Sequence, residues 1–97
     1  MMAKTEPFDA ARYLTSPEAR TELLNDALAT GDAHYVAHAL GVIARARGMS
    51  EVARGAGVTR EALYKALSES GDPRLTTLLG VARALGVTLT ARIEPVE

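Results

Sequence analysis

Hydrophobic positions recur every three or four residues through most of the chain, which is the spacing of one helix face. Residues 16–18 read Ser-Pro-Glu, a start signal with an N-cap, proline at the first helical position and an acid in the first turn. Gly31 ends this pattern and Asp32 caps the next one. Two helices are predicted, over residues 17–30 and 33–47. The predicted inward residues are Ala19, Leu23, Leu24, Ala27 and Leu28 in the first helix and Val36, Ala37, Leu40, Ile43 and Ala44 in the second.

Residues 49–67, MSEVARGAGVTREALYKAL, predict two shorter helices joined by a turn. Ser50 is the predicted N-cap of the first helix and Thr59 that of the second, while Gly57 falls where the chain must turn with positive φ. The predicted inward residues are Val52, Ala53 and Ala56, then Ala62, Leu63, Ala66 and Leu67, and the predicted outward residues are Arg60, Glu61, Tyr64 and Lys65. The pattern favours a helix-turn-helix whose second helix presents its polar face outward. The alternative is an αα-hairpin in an ordinary helical bundle.

The hydrophobic period changes near the end of the chain. A final apolar stripe ends at Gly86, with Leu75, Leu78, Leu79, Ala82 and Leu85 predicted inward. Gly80 within this helix costs about 1 kcal/mol relative to alanine, and it would permit the close approach of another backbone. Apolar and polar residues then alternate over residues 87–93, which predicts a strand without a partner strand in this chain. Such a strand either lies on the core as an extended segment or pairs with another polypeptide.

The predicted fold is therefore all-α, a small helical bundle with a helix-turn-helix at residues 49–67 and a short C-terminal extended strand. Residues 16–97 form its single domain, and residues 1–15 form a partly flexible extension. Three apolar residues of the extension, Phe8, Tyr13 and Leu14, either fold back on the core or form an apolar edge that another protein completes. They are the candidate partner-binding residues.

The composition indicates one globular domain, since 47% of the 97 residues are hydrophobic and 24% are charged. With no cysteine, neither a disulfide nor a thiolate metal site can form. There is no signal-peptide pattern and no apolar run of about 20 residues, so we expect a cytoplasmic protein without membrane contact. The net charge of −1 is unevenly divided: residues 1–32 hold three bases and six acids, and residues 45–74 hold six bases and four acids. A basic region around the predicted helix-turn-helix favours contact with phosphate.

Candidate chemistry beyond this is sparse. His34 and His38 have the i, i+4 spacing of paired zinc ligands, but the sequence HYVAH lacks the glutamate of a zinc protease and has no third ligand nearby. We expect solvated histidines, with no metal and no cofactor. Neither a Ser/His/Asp arrangement with supporting context nor a phosphate-binding glycine loop is present, so we expect no enzyme and no catalytic residue.

Ala53, Gly57, Val58 and Leu63 have the spacing found in the helix-turn-helix of phage-repressor-like DNA-binding domains, which this stretch resembles. The whole chain resembles the addiction-module antidote proteins, which are HigA-like antitoxins of bacterial type II toxin–antitoxin pairs. The resemblance is carried by the opening KTEPFDAARYL, by GDAHYVAHALGVIARARGMSEVAR, by TREALYKALSESGDPRLTTLLGVARALGV and by the short extended tail.

This resemblance implies an antitoxin that neutralises a RelE/ParE-like toxin and, as a homodimer, binds double-stranded operator DNA to repress its own operon. The predicted DNA-binding residues are Ser50, Thr59, Arg60, Glu61, Tyr64 and Lys65. Arg60 is the predicted guanine reader, and Tyr64 and Lys65 reach base or phosphate. Glu61 precedes Lys65 by four residues, which allows an ion pair within the helix. The alternatives are a free-standing helix-turn-helix transcriptional regulator and a helical protein-interaction adaptor that does not bind DNA.

Overall fold

The computed structural model describes residues 16–95, and five α-helices lie within this range. They are α1 (Pro17–Thr30), α2 (Ala33–Arg47), α3 (Met49–Ala56), α4 (Arg60–Ala66) and α5 (Leu75–Ala84). Because every described element is helical, the prediction of an all-α fold is confirmed. None of these helices has the length and apolar content that a membrane crossing requires. The predicted extension, with Phe8, Tyr13 and Leu14, lies outside the described residues.

Local capping sets the starts of three helices where the sequence predicted them. The Ser16 hydroxyl accepts a hydrogen bond from the Ala19 amide at 3.1 Å, and the Asp32 carboxylate accepts one from the His34 amide at 2.9 Å. Thr59 caps α4 in the same way. The predicted cap at Ser50 is wrong: α3 begins at Met49, two residues earlier than that cap implies, with Gly48 as its N-cap and no side-chain capping bond. Gly48 can start the helix because its φ of 124° is accessible to glycine.

The core lies where α1 packs on α2 and where α3 packs on α2, α4 and α5. Its largest fully buried side chains are Ile43, Val52, Leu63, Leu67 and Val81. Most predicted inward positions are buried, but Leu28, Ala62, Leu75 and Leu79 are exposed.

Small residues explain the error in α5. A Cβ placed on Gly80 would lie 3.3 Å from the Ala56 carbonyl oxygen, and one placed on Gly55 would lie 2.9 Å from the Ala84 Cβ. The backbones of α3 and α5 therefore approach closely, as the glycine in α5 suggested. Because Gly80 faces α3, the contact face of α5 is rotated away from Leu75 and Leu79.

Between residues 85 and 95, where the structure describes the chain after α5, there is no helix or strand. Val87 packs against the core, and its amide donates to the Ala82 carbonyl at 2.8 Å. The prediction of a strand over residues 87–93 is not confirmed, because no strand occurs between residues 16 and 95. An isolated extended segment has no ladder of hydrogen bonds to define it as a strand.

Candidate nucleic-acid interface

Helix α4 is held on the protein by one face and by a tight turn at its start. Leu63 and Leu67 have no exposed surface. Gly57 has φ of 76°, and the amide of Val58 after it donates to the Ala53 carbonyl at 3.0 Å, so the chain reverses directly after α3. The Thr59 hydroxyl then accepts from the Ala62 amide at 3.0 Å. These contacts fix the direction of α4 relative to α3.

The outward face of α4 carries Arg60 and Tyr64, which are paired with each other. An Arg60 guanidinium nitrogen donates to the Tyr64 hydroxyl at 3.3 Å, and the guanidinium carbon lies 5.4 Å from the ring centroid. Both side chains are exposed, with Tyr64 at 40%. The contact uses one N–H donor of a guanidinium that has several in a planar fork, so the others remain available to a ligand. The pair places a guanidinium and a hydroxyl side by side on the exposed face of α4.

The remaining predicted residues on this face are also exposed, but they are not paired as the sequence suggested. Among residues 16–95, no ion pair joins Glu61 to Lys65. An i, i+4 ion pair does form between Arg47 at the end of α2 and Glu51 in α3, at 3.9 Å with both side chains half exposed or more. Such an exposed pair contributes little to stability. The Lys65 ammonium is therefore free to meet an anion, and Thr59 is exposed beside the N-terminus of α4.

Other cations near this helix pair are exposed as well. All six basic side chains of residues 45–74 are at the surface: Arg45, Arg47, Arg54, Arg60, Lys65 and Arg74. Arg54 follows Ser50 by four residues, so the two share the outer face of α3. Arg54 contributes to the basic charge of residues 45–74, but it is not among the residues predicted to bind DNA. Its exposed position beside Ser50 makes it a further candidate phosphate contact.

His34 has a role that the sequence did not indicate. Its Nδ1 lies 2.9 Å from the Gly71 carbonyl oxygen, which joins the start of α2 to the loop after α4. A Cβ on Gly71 would collide with the Ala66 carbonyl oxygen, so the loop folds tightly against the end of α4. Because His34 and Gly71 are 37 residues apart, no local pattern could reveal their contact. The described residues hold no group of three potential metal ligands.

Comparison with known proteins identifies the family. The family model described as "Probable addiction module antidote protein" matches residues 4–93. An uncharacterized protein of Haemophilus influenzae is 45% identical over 87 residues, which cover 90% of each chain. No solved structure matches the chain significantly. Because the family model spans nearly the whole sequence, the chain belongs to the addiction module antidote family.

Proposed function

We propose that this protein is the antitoxin of a type II toxin–antitoxin pair and that α3 and α4 form a helix-turn-helix that binds operator DNA. Family membership supports the antidote role, since an antidote requires a toxin partner. The observation that carries the DNA-binding half is the paired, exposed Arg60 and Tyr64 on a helix anchored by buried Leu63 and Leu67. A helix that packs on the protein through one face and carries polar side chains on the other can enter the major groove.

The exposed polar residues of α4, its N-cap and α3 have distinct roles in the proposed complex. Arg60, in the first turn, reads guanine through its guanidinium, and Tyr64 orients that group. Lys65 and Thr59 contact phosphate, and Ser50 and Arg54 extend these contacts along α3. Glu61 lies beside Arg60 and can accept from a cytosine amino group.

The protein acts as a homodimer in this proposal. One helix of seven residues contacts too few base pairs for tight specific binding, whereas two copies contact two half-sites. The operator would be an inverted repeat with half-sites about one helical turn, or roughly 34 Å, apart.

The toxin-binding half of the proposal rests on the N-terminal region. Residues 1–32 hold six acids and three bases, a charge balance that complements a basic RelE/ParE-like toxin and speeds association. Phe8, Tyr13 and Leu14 would supply the apolar anchors, because aromatic residues dominate interface energetics.

Gel shifts on the protein's own promoter and on random DNA test the DNA-binding half. We expect Arg60→Ala to lower operator affinity by about 1–3 kcal/mol and to relax sequence preference, since the guanidinium reads a base. Lys65→Ala should weaken binding to all DNA alike and reduce the salt slope by about one. Arg20→Ala is the charge-matched control on α1 and should leave both properties unchanged. Unaltered binding by the Arg60 and Lys65 variants would overturn the assignment.

Co-expression with the adjacent open reading frame tests the antitoxin half. The full-length chain should capture the neighbouring small protein and relieve its toxicity. A chain lacking residues 1–15 should keep its DNA binding and lose this protection, because the proposed anchors are gone. A free-standing regulator would instead bind DNA without capturing a toxin. A helical adaptor would capture a protein without binding DNA, even at low salt.

A further inference from the structure

The tail after Val87 has backbone groups that no described part of the chain pairs. The Val87 amide is the last that donates within the backbone network, to the Ala82 carbonyl. Between residues 88 and 94, no backbone hydrogen bond to another described residue forms. Pro95 follows and has no amide hydrogen to donate. The unpaired segment therefore has defined ends and its midpoint is Ala91.

The side chains of this segment have the alternation of a strand with one apolar side. Leu89, Ala91 and Ile93 occupy one set of positions, and Thr88, Thr90, Arg92 and Glu94 occupy the other. Leu89 is 39% exposed and Ile93 is 94% exposed. Two independent observations, the alternation and the absence of hydrogen bonds, thus fit a segment that would become a strand once it has a partner.

The segment is complementary to a second copy of itself. If residues 88–94 pair antiparallel with the same residues of a second copy, the twofold axis passes through Ala91. Leu89 then lies opposite Ile93 of the second copy on one face, so both exposed apolar side chains gain a neighbour. On the other face, Thr90 lies opposite Arg92 of the second copy. If the pairing slipped by one residue, apolar side chains would lie opposite polar ones. The alternation therefore favours registers in which apolar residues lie opposite apolar residues.

Charge and surface continuity favour a second copy over a charged partner. Arg92 and Glu94 form an ion pair at 2.9 Å, so the segment has no net charge and two copies do not repel each other. Leu89 also lines a groove with Leu79, and Leu75 precedes Leu79 by one turn on the exposed face of α5. A two-stranded ribbon alone is marginal in water, but this adjoining apolar face adds area to bury.

We propose that residues 88–94 form an intermolecular two-stranded antiparallel ribbon about Ala91, which joins two copies of the chain. The inference rests on the proposed homodimer and gives it an interface, but it does not require that the dimer bind DNA. In it, the apolar side of the ribbon covers the exposed face of α5 that bears Leu75 and Leu79.

Disulfide cross-linking of full-length cysteine variants tests the register, because the natural chain has no cysteine. Opposed residues of an antiparallel pair have Cα separations of about 4.5–5.5 Å, within disulfide range. Ala91→Cys should therefore form a covalent dimer under mild oxidation. Thr88→Cys should not, since the two copies of that residue would lie about 20 Å apart along the ribbon. Mixing Thr88→Cys with Glu94→Cys should produce a covalent heterodimer that neither variant forms with itself.

Other outcomes would overturn the inference. A covalent dimer of Leu75→Cys without one of Ala91→Cys would show that the copies meet through α5 alone. If Ala91→Cys stays monomeric by sedimentation and its thiol is protected only when the toxin is added, the tail belongs to the toxin interface. The proposed ribbon and the proposed DNA binding can each be rejected without rejecting the other. Cross-linking at Ala91 without an operator shift rejects DNA binding, whereas operator binding by a dimer that does not cross-link there rejects the ribbon.

Discussion

Gly41 lies at the point where α2 meets the end of α4, and its replacement by alanine tests this packing. A Cβ at this position would lie 2.6 Å from the Leu67 carbonyl oxygen and 3.3 Å from the Leu67 Cβ. The first atom belongs to the backbone, so a side-chain rotation cannot relieve the contact. Since Leu67 directly follows α4, the added methyl group must separate α2 from α4.

Two opposing effects determine the magnitude for Gly41→Ala. Alanine in a helix interior is favoured over glycine by about 1 kcal/mol. Overpacking a core costs about 1–3 kcal/mol, and a contact of 2.6 Å with backbone belongs at the upper end of that range. The net expectation is a loss of about 2 kcal/mol in the free energy of unfolding. For a domain of this size, that loss lowers Tm by roughly 10 °C.

Thermal denaturation followed by circular dichroism measures this effect against two controls. Gly80→Ala places its Cβ 3.3 Å from the Ala56 carbonyl oxygen, so the gain in helix propensity and the small displacement should nearly cancel. Ala46→Gly, at an exposed position of α2, should lower the free energy of unfolding by about 1 kcal/mol. This variant measures the difference in helix propensity between alanine and glycine in the same helix. A Tm for Gly41→Ala equal to or above that of the natural chain would refute the close contact between α2 and Leu67.

Substitutions at three further positions test how α4 is held. Thr59→Ala should cost about 1 kcal/mol in urea denaturation because the Ala62 amide loses its cap, and Thr59→Ser should restore most of it. Gly57→Ala should lower the thermal midpoint by an amount equivalent to about 1–2 kcal/mol, since φ of 76° is strained for alanine. Leu63→Ala should cost about 2–5 kcal/mol in urea because the side chain is fully buried. A smaller loss for Leu63→Ala than for Thr59→Ala would contradict the burial of this face.

Helix boundaries could be predicted because the groups that set them are local in sequence. Ser16, Asp32 and Thr59 each cap a helix through an amide two or three residues ahead. The same reasoning predicted Ser50 as an N-cap, and that prediction was wrong. With Gly48 as the N-cap, the helix begins before Ser50, and the serine becomes an exposed residue of the first turn.

Side-chain burial was less predictable where two helices touch through small residues. Hydrophobic periodicity placed Leu75 and Leu79 inward because they share helical spacing with Leu78, Ala82 and Leu85. In the structure, Gly80 faces Ala56, and a leucine in that contact would push the helices apart. The hydrophobic pattern of one helix gives no information about the size of the side chains on the helix that faces it.

The candidate site shows the same division between local and distant contacts. Arg60 and Tyr64 are four residues apart on one helix, so their contact follows from helical spacing. Glu61 and Lys65 have that spacing too, but solvent competes for both charges, and these two described residues form no ion pair with each other. The bond of His34 to the Gly71 carbonyl depends on the tertiary fold and had no sequence signal.

The close contact between α3 and α5 relates the two proposed interfaces to each other. Because Gly80 and Gly55 let these helices approach, α3 is fixed on α5, and the turn at Gly57 fixes α4 on α3. The tail continues directly from α5 and is tied to it by the Val87 amide. If the tails of two copies pair about Ala91 and the ribbon packs on α5 as proposed, the separation of the two α4 helices is set by packed elements. A dimer built in this way would recognise one fixed half-site spacing.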